Sequence, residues 1–308
     1  MSDNDTFLVT GATGTVGTHL TRLLLDRGHR VTALVHRLDD RSQRLEAQGA
    51  HVVSLDLLDI DAVGTALKGV RAAYFSYPIL DGLLEASTIF ANAAAEGGVE
   101  AVVNMSQMPA RRDAGSNASR QHWLAELIFD RFPTPTAHIK PTFFAEWLIN
   151  FRDADGTLRL PFADGRHAPI AAEDQAYVIA AILEHPEGHA GKRYPLTGPV
   201  ELNHHEIAEI LTKALGRAIS YEPISIPEFV DRLTADGLSP HAVQHLASVA
   251  ADYRNGVFSG TNDYVADIGG ITPTSVEAFA LRNEDHFDHP ELWGQWKFAR
   301  RSRSGVSD

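Results

Sequence analysis

Apolar and polar positions alternate along this chain in a pattern that predicts its architecture. An apolar run at Phe7-Leu8-Val9 leads into Gly11, Gly14 and Gly17, and then into Val16, Leu20, Leu23 and Leu24 at helical spacing. Strand, glycine turn and helix N-terminus are the elements predicted. The unit repeats. Val31–Val35 precedes a polar segment to Gln48; His51–Leu55 precedes a capped helix from Asp59 to Leu67; Ala72–Phe75 precedes a long Ala-rich helix ending near Gly97-Gly98. Ala101–Met105, a helix from Ser119 to Phe132 and a sixth strand at Thr136–Ile139 complete the series. Continuously apolar strands between amphipathic helices belong to a parallel sheet covered on both faces. The expected fold class is therefore α/β, a doubly wound parallel Rossmann sheet.

After residue 150 the periodicity changes. Thr157–Leu160 reads as a short strand, Ala171–Leu183 as a helix, and Lys192–Leu196 as a strand that returns to the main sheet. Helices near His205–Leu215, Pro227–Leu233, Pro240–Tyr253 and Ser275–Arg282 form a smaller, mostly helical C-terminal substrate cap. The expected division is a dinucleotide-binding domain over residues 1–150 and a cap over 151–308, with parts of 171–198 rejoining the first.

Composition narrows the class further. At 308 residues and 44% hydrophobic, the chain can bury one large core plus an appendage. No apolar stretch approaches the roughly 18 residues needed to span a bilayer, and Met1-Ser2-Asp3-Asn4-Asp5 is polar and acidic, unlike a signal peptide. A cytoplasmic protein without a membrane partner is expected, as a monomer or homodimer. The absence of cysteine excludes disulfides and thiol chemistry. A formal charge of −13 repels nucleic acid, and the short basic tail Arg300-Arg301-Ser302-Arg303 reads as a terminus rather than a binding patch.

The glycine turn carries the first chemistry. Gly11 permits a tight turn, Gly14 a close approach of backbone to a pyrophosphate, and Gly17 close packing of helix on strand, while the free N–H groups around Thr13, Thr15 and Val16 face the anion. The second strand selects the dinucleotide. An acidic residue about 20 residues beyond the glycines accepts from the ribose 2′-OH of NAD, whereas an Arg pairs with the 2′-phosphate of NADP. Here Ala33-Leu34-Val35 ends in His36-Arg37, with Arg41 one turn later, and Asp39 and Asp40 come after the strand end. Arg37 therefore points to NADP(H).

The chain resembles the NmrA-like family of atypical short-chain dehydrogenases, with their quinone-reductase and isoflavone-reductase-like relatives. The resemblance rests on Val9-Thr10-Gly11-Ala12-Thr13-Gly14 with Gly17, on Ala33–Arg37, on Pro141-Thr142-Phe143-Phe144-Ala145-Glu146, and on Tyr194-Pro195-Leu196-Thr197-Gly198-Pro199. Glu206–Leu211 before Leu215-Gly216-Arg217 is similar to that family as well. It implies an N-terminal NADP-binding domain and a C-terminal part forming a cleft over the nicotinamide. It also exposes a departure. Ordinary short-chain dehydrogenases use a Tyr as proton donor and a Lys four residues later, but Ala118 falls at the Tyr position and His122 at the Lys position. His122 is the candidate catalytic acid or ribose partner, because imidazole titrates near neutral pH; the alternative is a partly buried helix histidine beside Trp123.

Ligands in open α/β sheets bind beyond the carboxyl ends of the strands. Candidates there are Asp56 and Leu57 after the third strand, Ser76, Tyr77 and Pro78 after the fourth, and Ser106 and Gln107 after the fifth. Tyr77 is a second proton-donor candidate. Pro141, Thr142, Phe143 and Phe144 line the nicotinamide by resemblance, and Phe143, Phe144 and Trp147 suggest a flat, aromatic or quinone-like small-molecule substrate. Two histidine clusters do not read as metal sites: Asn203 and Glu206 make His204-His205-Glu206 a capping box, and Asp285-His286-Phe287-Asp288-His289 lacks zinc-ligand spacing. Two functions remain open, an NADPH-dependent reductase of a small carbonyl, quinone or other unsaturated acceptor, and a non-catalytic NADP-binding redox sensor acting through a protein partner.

Overall fold

The computed structural model describes residues 6–289; the basic tail at 300–303 and the acidic first five residues lie outside the described residues. In chain order the elements are β1 (Thr6–Val9), α1 (Thr15–Asp26), β2 (Arg30–Val35), α2 (Asp40–Ala47), β3 (His51–Ser54), α3 (Ile60–Ala66), β4 (Ala72–Phe75), α4 (Leu83–Glu96), β5 (Ala101–Met105), α5 (Asn117–Phe129) and β6 (Thr136–Pro141). There follow α6 (Trp147–Asn150), β7 (Thr157–Leu160), α7 (Ala172–Glu184), β8 (Arg193–Leu196), α8 (His204–Leu215), β9 (Ser220–Pro223), α9 (Ile226–Ala235), α10 (Pro240–Arg254), α11 (Tyr264–Asp267), α12 (Val276–Arg282) and α13 (Glu284–Asp288).

Seven strands form one sheet in the order β3-β2-β1-β4-β5-β6-β8, every pair parallel. The strand order reverses between β1 and β4, which opens a crevice at their carboxyl ends. Both faces are covered, and successive residues serve opposite faces. Phe7 and Val9 pack into one core with Leu20 and Leu24 of α1 and Ile179 and Leu183 of α7, whereas Leu8 between them packs into another with Phe90 of α4 and Phe129 of α5. That two-sided burial is why β1 and β4 read as apolar runs, whereas the edge strand β3 is only half-buried and β6 carries His138 and Lys140. The last strand of this sheet, β8, pairs with β6 from His138 opposite Arg193 to Pro141 opposite Leu196, so residues beyond 150 do contribute to the main sheet.

A third core holds the remaining helices together around Leu148, Leu211, Phe229, Leu246 and Phe279. It includes a second, two-stranded parallel sheet of β7 and β9. The strand β9 has no apolar alternation to announce it, because only Tyr221 of its residues is buried. Helix α5 is displaced from the span 119–132. It starts behind Ser116, whose Oγ accepts from the Ser119 N–H, and it stops at Phe129, short of Pro133, which forces the residue before it out of helical geometry.

Candidate functional site

The glycine turn lies at the crevice. Gly11 has φ of 57°, a left-handed conformation that costs a residue with Cβ, and its carbonyl accepts from the Gly14 N–H at 2.8 Å. A Cβ on Gly17 would stand 2.2 Å from the Gly11 oxygen, so helix and turn touch only because that side chain is missing. On Gly14 a Cβ would meet the same oxygen at 3.0 Å and no other atom of the described residues within 4 Å, which leaves its outer side open. Gly11, Gly14 and Thr15 are exposed and Thr13 is half-buried, whereas Val16 and Gly17 are buried beneath them. The N-cap of α1 is Gly14, without a side-chain cap, and the first turn has no acidic residue. Its free N–H groups and positive dipole end therefore face solvent beside an open backbone cradle, the arrangement that a pyrophosphate fits. Thr10 braces the switch point: its hydroxyl donates to the Ser76 carbonyl at 3.0 Å and accepts from the Ser76 N–H at 2.7 Å.

The end of β2 presents two arginines in different states. Arg41 is held by Asp39 through Nη2 at 2.6 Å and Nε at 3.1 Å, and Asp39 is also the N-cap of α2. The hydrogen bond to Arg41 is the main reason that the Asp39 carboxyl titrates below its usual range. Arg37 is exposed and makes no ion pair among the described residues. The residues after β3 close this end: Asp56 is exposed, with a side chain that accepts from the Leu58 N–H at 3.0 Å, and Leu57 packs half-buried on the core shared with α4.

Beyond β4, Ser76 and Tyr77 are half-buried and Pro78 is exposed. The Tyr77 hydroxyl donates to the Asp81 carbonyl at 3.1 Å and touches the position that a Gly82 Cβ would occupy. Burial, with Asp56, Glu85 and Asp81 nearby, raises the pKa of that phenol. It is thus turned toward its own loop and made a weaker acid.

His122 corrects the expectation of an imidazole that titrates near neutrality. It is 5% exposed, its Nδ1 has no hydrogen-bond partner among the described residues, and burial lowers its pKa to about 4. At neutral pH it is an uncharged ring. Phe143 corrects a second expectation. Its ring is fully buried, edge-on to Trp147 at 5.0 Å and beside His167 at 5.0 Å and Tyr253 at 6.1 Å, so it supports the cap core rather than lining an open cleft. Phe144 remains half-buried and stacks on Trp147 at 5.4 Å with an interplanar angle of 14°. Pro141 and Thr142 are buried at the end of β6.

Sequence reasoning missed the charged group beneath these strand ends. Glu126 of α5 is 1% exposed, and its Oε1 accepts from Ser106 Oγ at 2.5 Å and from Lys140 Nζ at 2.9 Å. Its Oε2 accepts from Arg193 Nε at 2.8 Å. Arg193 also holds Asp130 at 2.6 Å, and Asp130 accepts from or shares a proton with His138 at 3.0 Å. Lys140 sits in β6 beside buried Thr136 and His138, and a largely buried lysine demands a carboxylate partner; that was the available signal. The cap meets the same region through His245 of α10, whose Nδ1 lies 2.8 Å from Ser116 Oγ, and through Arg111, which pairs with Asp252 at 2.6 Å.

A doubly wound sheet with a glycine phosphate turn at its switch point defines the class of dinucleotide-binding α/β proteins. Within that class the chain belongs to the NmrA-like family, which it matches over residues 3–259. It is similar to an NAD(P)H azoreductase of Xenophilus azovorans, 27% identical over 278 residues that make up 89% of this chain and 96% of the relative. Two solved structures share the fold. An NADPH-dependent quinone oxidoreductase from Escherichia coli in complex with NADPH superposes with a TM-score of 0.79 at 22% identity, over 92% of this chain and 99% of the other. NmrA, a negative transcriptional regulator in complex with NAD, superposes with a TM-score of 0.81 at 16% identity, over 94% of this chain and 98% of the other.

Proposed function

We propose that this protein is an NADPH-dependent reductase of a flat, unsaturated small molecule such as a quinone, an azo compound or a conjugated carbonyl. The observation that carries the reading is the uncapped N-terminus of α1 above an open glycine cradle, with the unpaired Arg37 at the end of the neighbouring strand. The backbone N–H groups of Thr13, Thr15 and Val16 bind the pyrophosphate, and Arg37 meets the 2′-phosphate with a charge-assisted pair. NADPH bound in this way supplies a hydride. The residues after β4, β5 and β6 hold the nicotinamide end, and the stacked Phe144 and Trp147 offer a planar surface to an aromatic acceptor. The azoreductase and quinone oxidoreductase relatives support an acceptor of that shape.

The test is NADPH oxidation against a panel of quinones, enones and azo compounds, run aerobically and anaerobically and paired with a cofactor binding titration. Acceptor-dependent oxidation is the expected result. A protein that binds NADPH tightly and passes hydride to no acceptor would instead be a redox sensor.

A further inference from the structure

Hydride addition leaves negative charge on the acceptor's oxygen or nitrogen, and that atom needs a proton. His122 is poorly suited to supply it, because burial keeps the ring uncharged at neutral pH and the remaining N–H is a far weaker acid than an imidazolium. The Tyr77 hydroxyl donates to the Asp81 carbonyl and faces Asp56, Glu85 and Asp81, carboxylates that make it a weaker acid. A different hydroxyl stands at the carboxyl end of β5 and is wired to a cation.

Ser106 continues the β5 ladder, its N–H donating to the Ile139 carbonyl at 2.7 Å, and its Oγ lies on the α5 side of the sheet against Glu126. Arg193 occupies Glu126 Oε2, so Oε1 is left to Ser106 and Lys140 together. One carboxylate oxygen therefore touches both a hydroxyl and an ammonium. Lys140 is also held by the Ala110 carbonyl at 2.8 Å, and its side chain is 13% exposed, which leaves it a contact with solvent. The whole arrangement is charge-balanced: Lys140 and Arg193 face Glu126 and Asp130.

We propose that Ser106, Glu126 and Lys140 form the proton-delivery chain of this protein, an inference that rests on the reductase reading. Ser106 is 3% exposed and its hydrogen lies on Glu126 Oε1, so after hydride reaches the acceptor the hydroxyl must first turn to the crevice. Its O–H bond then breaks as a bond from that hydrogen to the acceptor's anionic atom forms. A proton leaves Lys140 Nζ, crosses Glu126 Oε1 and restores the Ser106 hydroxyl. Lys140 ends neutral and Glu126 unchanged, and solvent returns the proton to the amine. Two electrons and one proton have passed to the acceptor from the cofactor, and one further proton from Lys140. Ser106 is the catalytic residue of this chain; Glu126 and Lys140 act through it.

Ser106→Ala removes the donor with little change in volume, Ser106→Thr keeps it, and Lys140→Arg keeps the charge and the contact with Glu126 but cannot give up its proton. With a carbonyl or azo acceptor, Ser106→Ala and Lys140→Arg should each lower kcat by about a hundredfold, the scale of one positioned acid. The solvent deuterium isotope effect should change, and Ser106→Thr should restore the rate. Ser106→Ala also strips a hydrogen bond from the buried Glu126 carboxylate and so lowers the thermal melt, but a merely structural role would not change the solvent isotope effect on kcat at saturating NADPH or be rescued in rate by Ser106→Thr. Wild-type kcat and isotope effect in Ser106→Ala would overturn the chain while leaving the reductase reading intact. Failure of the wild-type protein to reduce any acceptor would overturn both.

Discussion

Arg37 and Arg41 stand near the end of the same strand, and only one of them has its charge spent. Arg41 is tied to Asp39, whereas Arg37 is exposed after the strand end and has no carboxylate partner among the described residues. An unpaired guanidinium matches a 2′-phosphate and gains much less from a bare 2′-hydroxyl. Arg37→Ala is therefore expected to weaken NADPH binding by about 1.5–3 kcal/mol, roughly one to two decades, and to leave NADH binding almost unchanged. Parallel titrations of both cofactors decide it, and an equal loss for both would mean that Arg37 supports the fold. The side chain was legible in the sequence because strand-end position follows from a local pattern. The state of His122 was not. Its neutrality arises from burial between α5 and the cap, with His245 approaching from α10, and burial of that kind is a property of tertiary packing.

At the scale of the element, the glycine turn shows that three glycines spaced alike have different jobs. Gly17 has no room for a methyl group, since the clash would be with backbone of Gly11 and Ala12 rather than with a mobile side chain. Gly14 has its contact on one side only. Gly14→Val should thus abolish cofactor binding in a protein that still folds, while Gly17→Val should lose stability before binding is measured. Circular dichroism and a thermal melt alongside the titration separate the two, and native affinity in Gly14→Val would remove the phosphate-turn assignment. The sheet and its flanking helices were legible for a related reason: parallel strands buried on both faces leave continuous apolar runs, and β1 to β6 all announce themselves. Partnerships between distant segments were not legible. The pairing of β9 with β7 and the meeting of Ser106, Glu126, Lys140 and Arg193 depend on side chains far apart in the chain. Glu146 belongs to the same group. Read as part of a family motif, it turns out to accept from the Ala172 N–H at 2.8 Å, capping α7 from outside, and burial pushes its carboxyl up to about 7.

Across the whole molecule, imidazoles are buried among the elements that follow β5. His122 and His245 are buried between α5 and α10, and His167 and His204 lie fully buried with rings 4.9 Å apart among Phe143, Phe162 and Tyr253. Burial lowers the pKa of His122 to about 4 and of His204 and His245 to about 3, and it holds His167 well below its usual value of 6.5. The consequence for stability has a definite sign. Between about pH 6.5 and pH 4 the unfolded chain binds a proton at each of these rings and the native chain does not, so stability is full above that window and falls as pH drops through it. Each ring contributes a slope of at most about 1.4 kcal/mol per pH unit. Glu146 works in the opposite direction, since between about 4.5 and 7 its native carboxyl holds a proton that the unfolded chain has released, and the raised Asp174 carboxyl joins it. Burial lowers His19, His138 and His189 as well, so the imidazoles outnumber the two raised carboxyls and prevail. Against a typical margin of about 5–15 kcal/mol, a net slope of even one or two protons makes the protein acid-labile. Urea denaturation from pH 8 to pH 4.5 should give a nearly constant free energy down to about 7 and a steep loss below about 6.5. His204→Phe, which fills the same aromatic site without a titrating ring, should reduce the slope by about one proton. A stability that stays level to pH 5 would mean that these rings take up protons in the folded state.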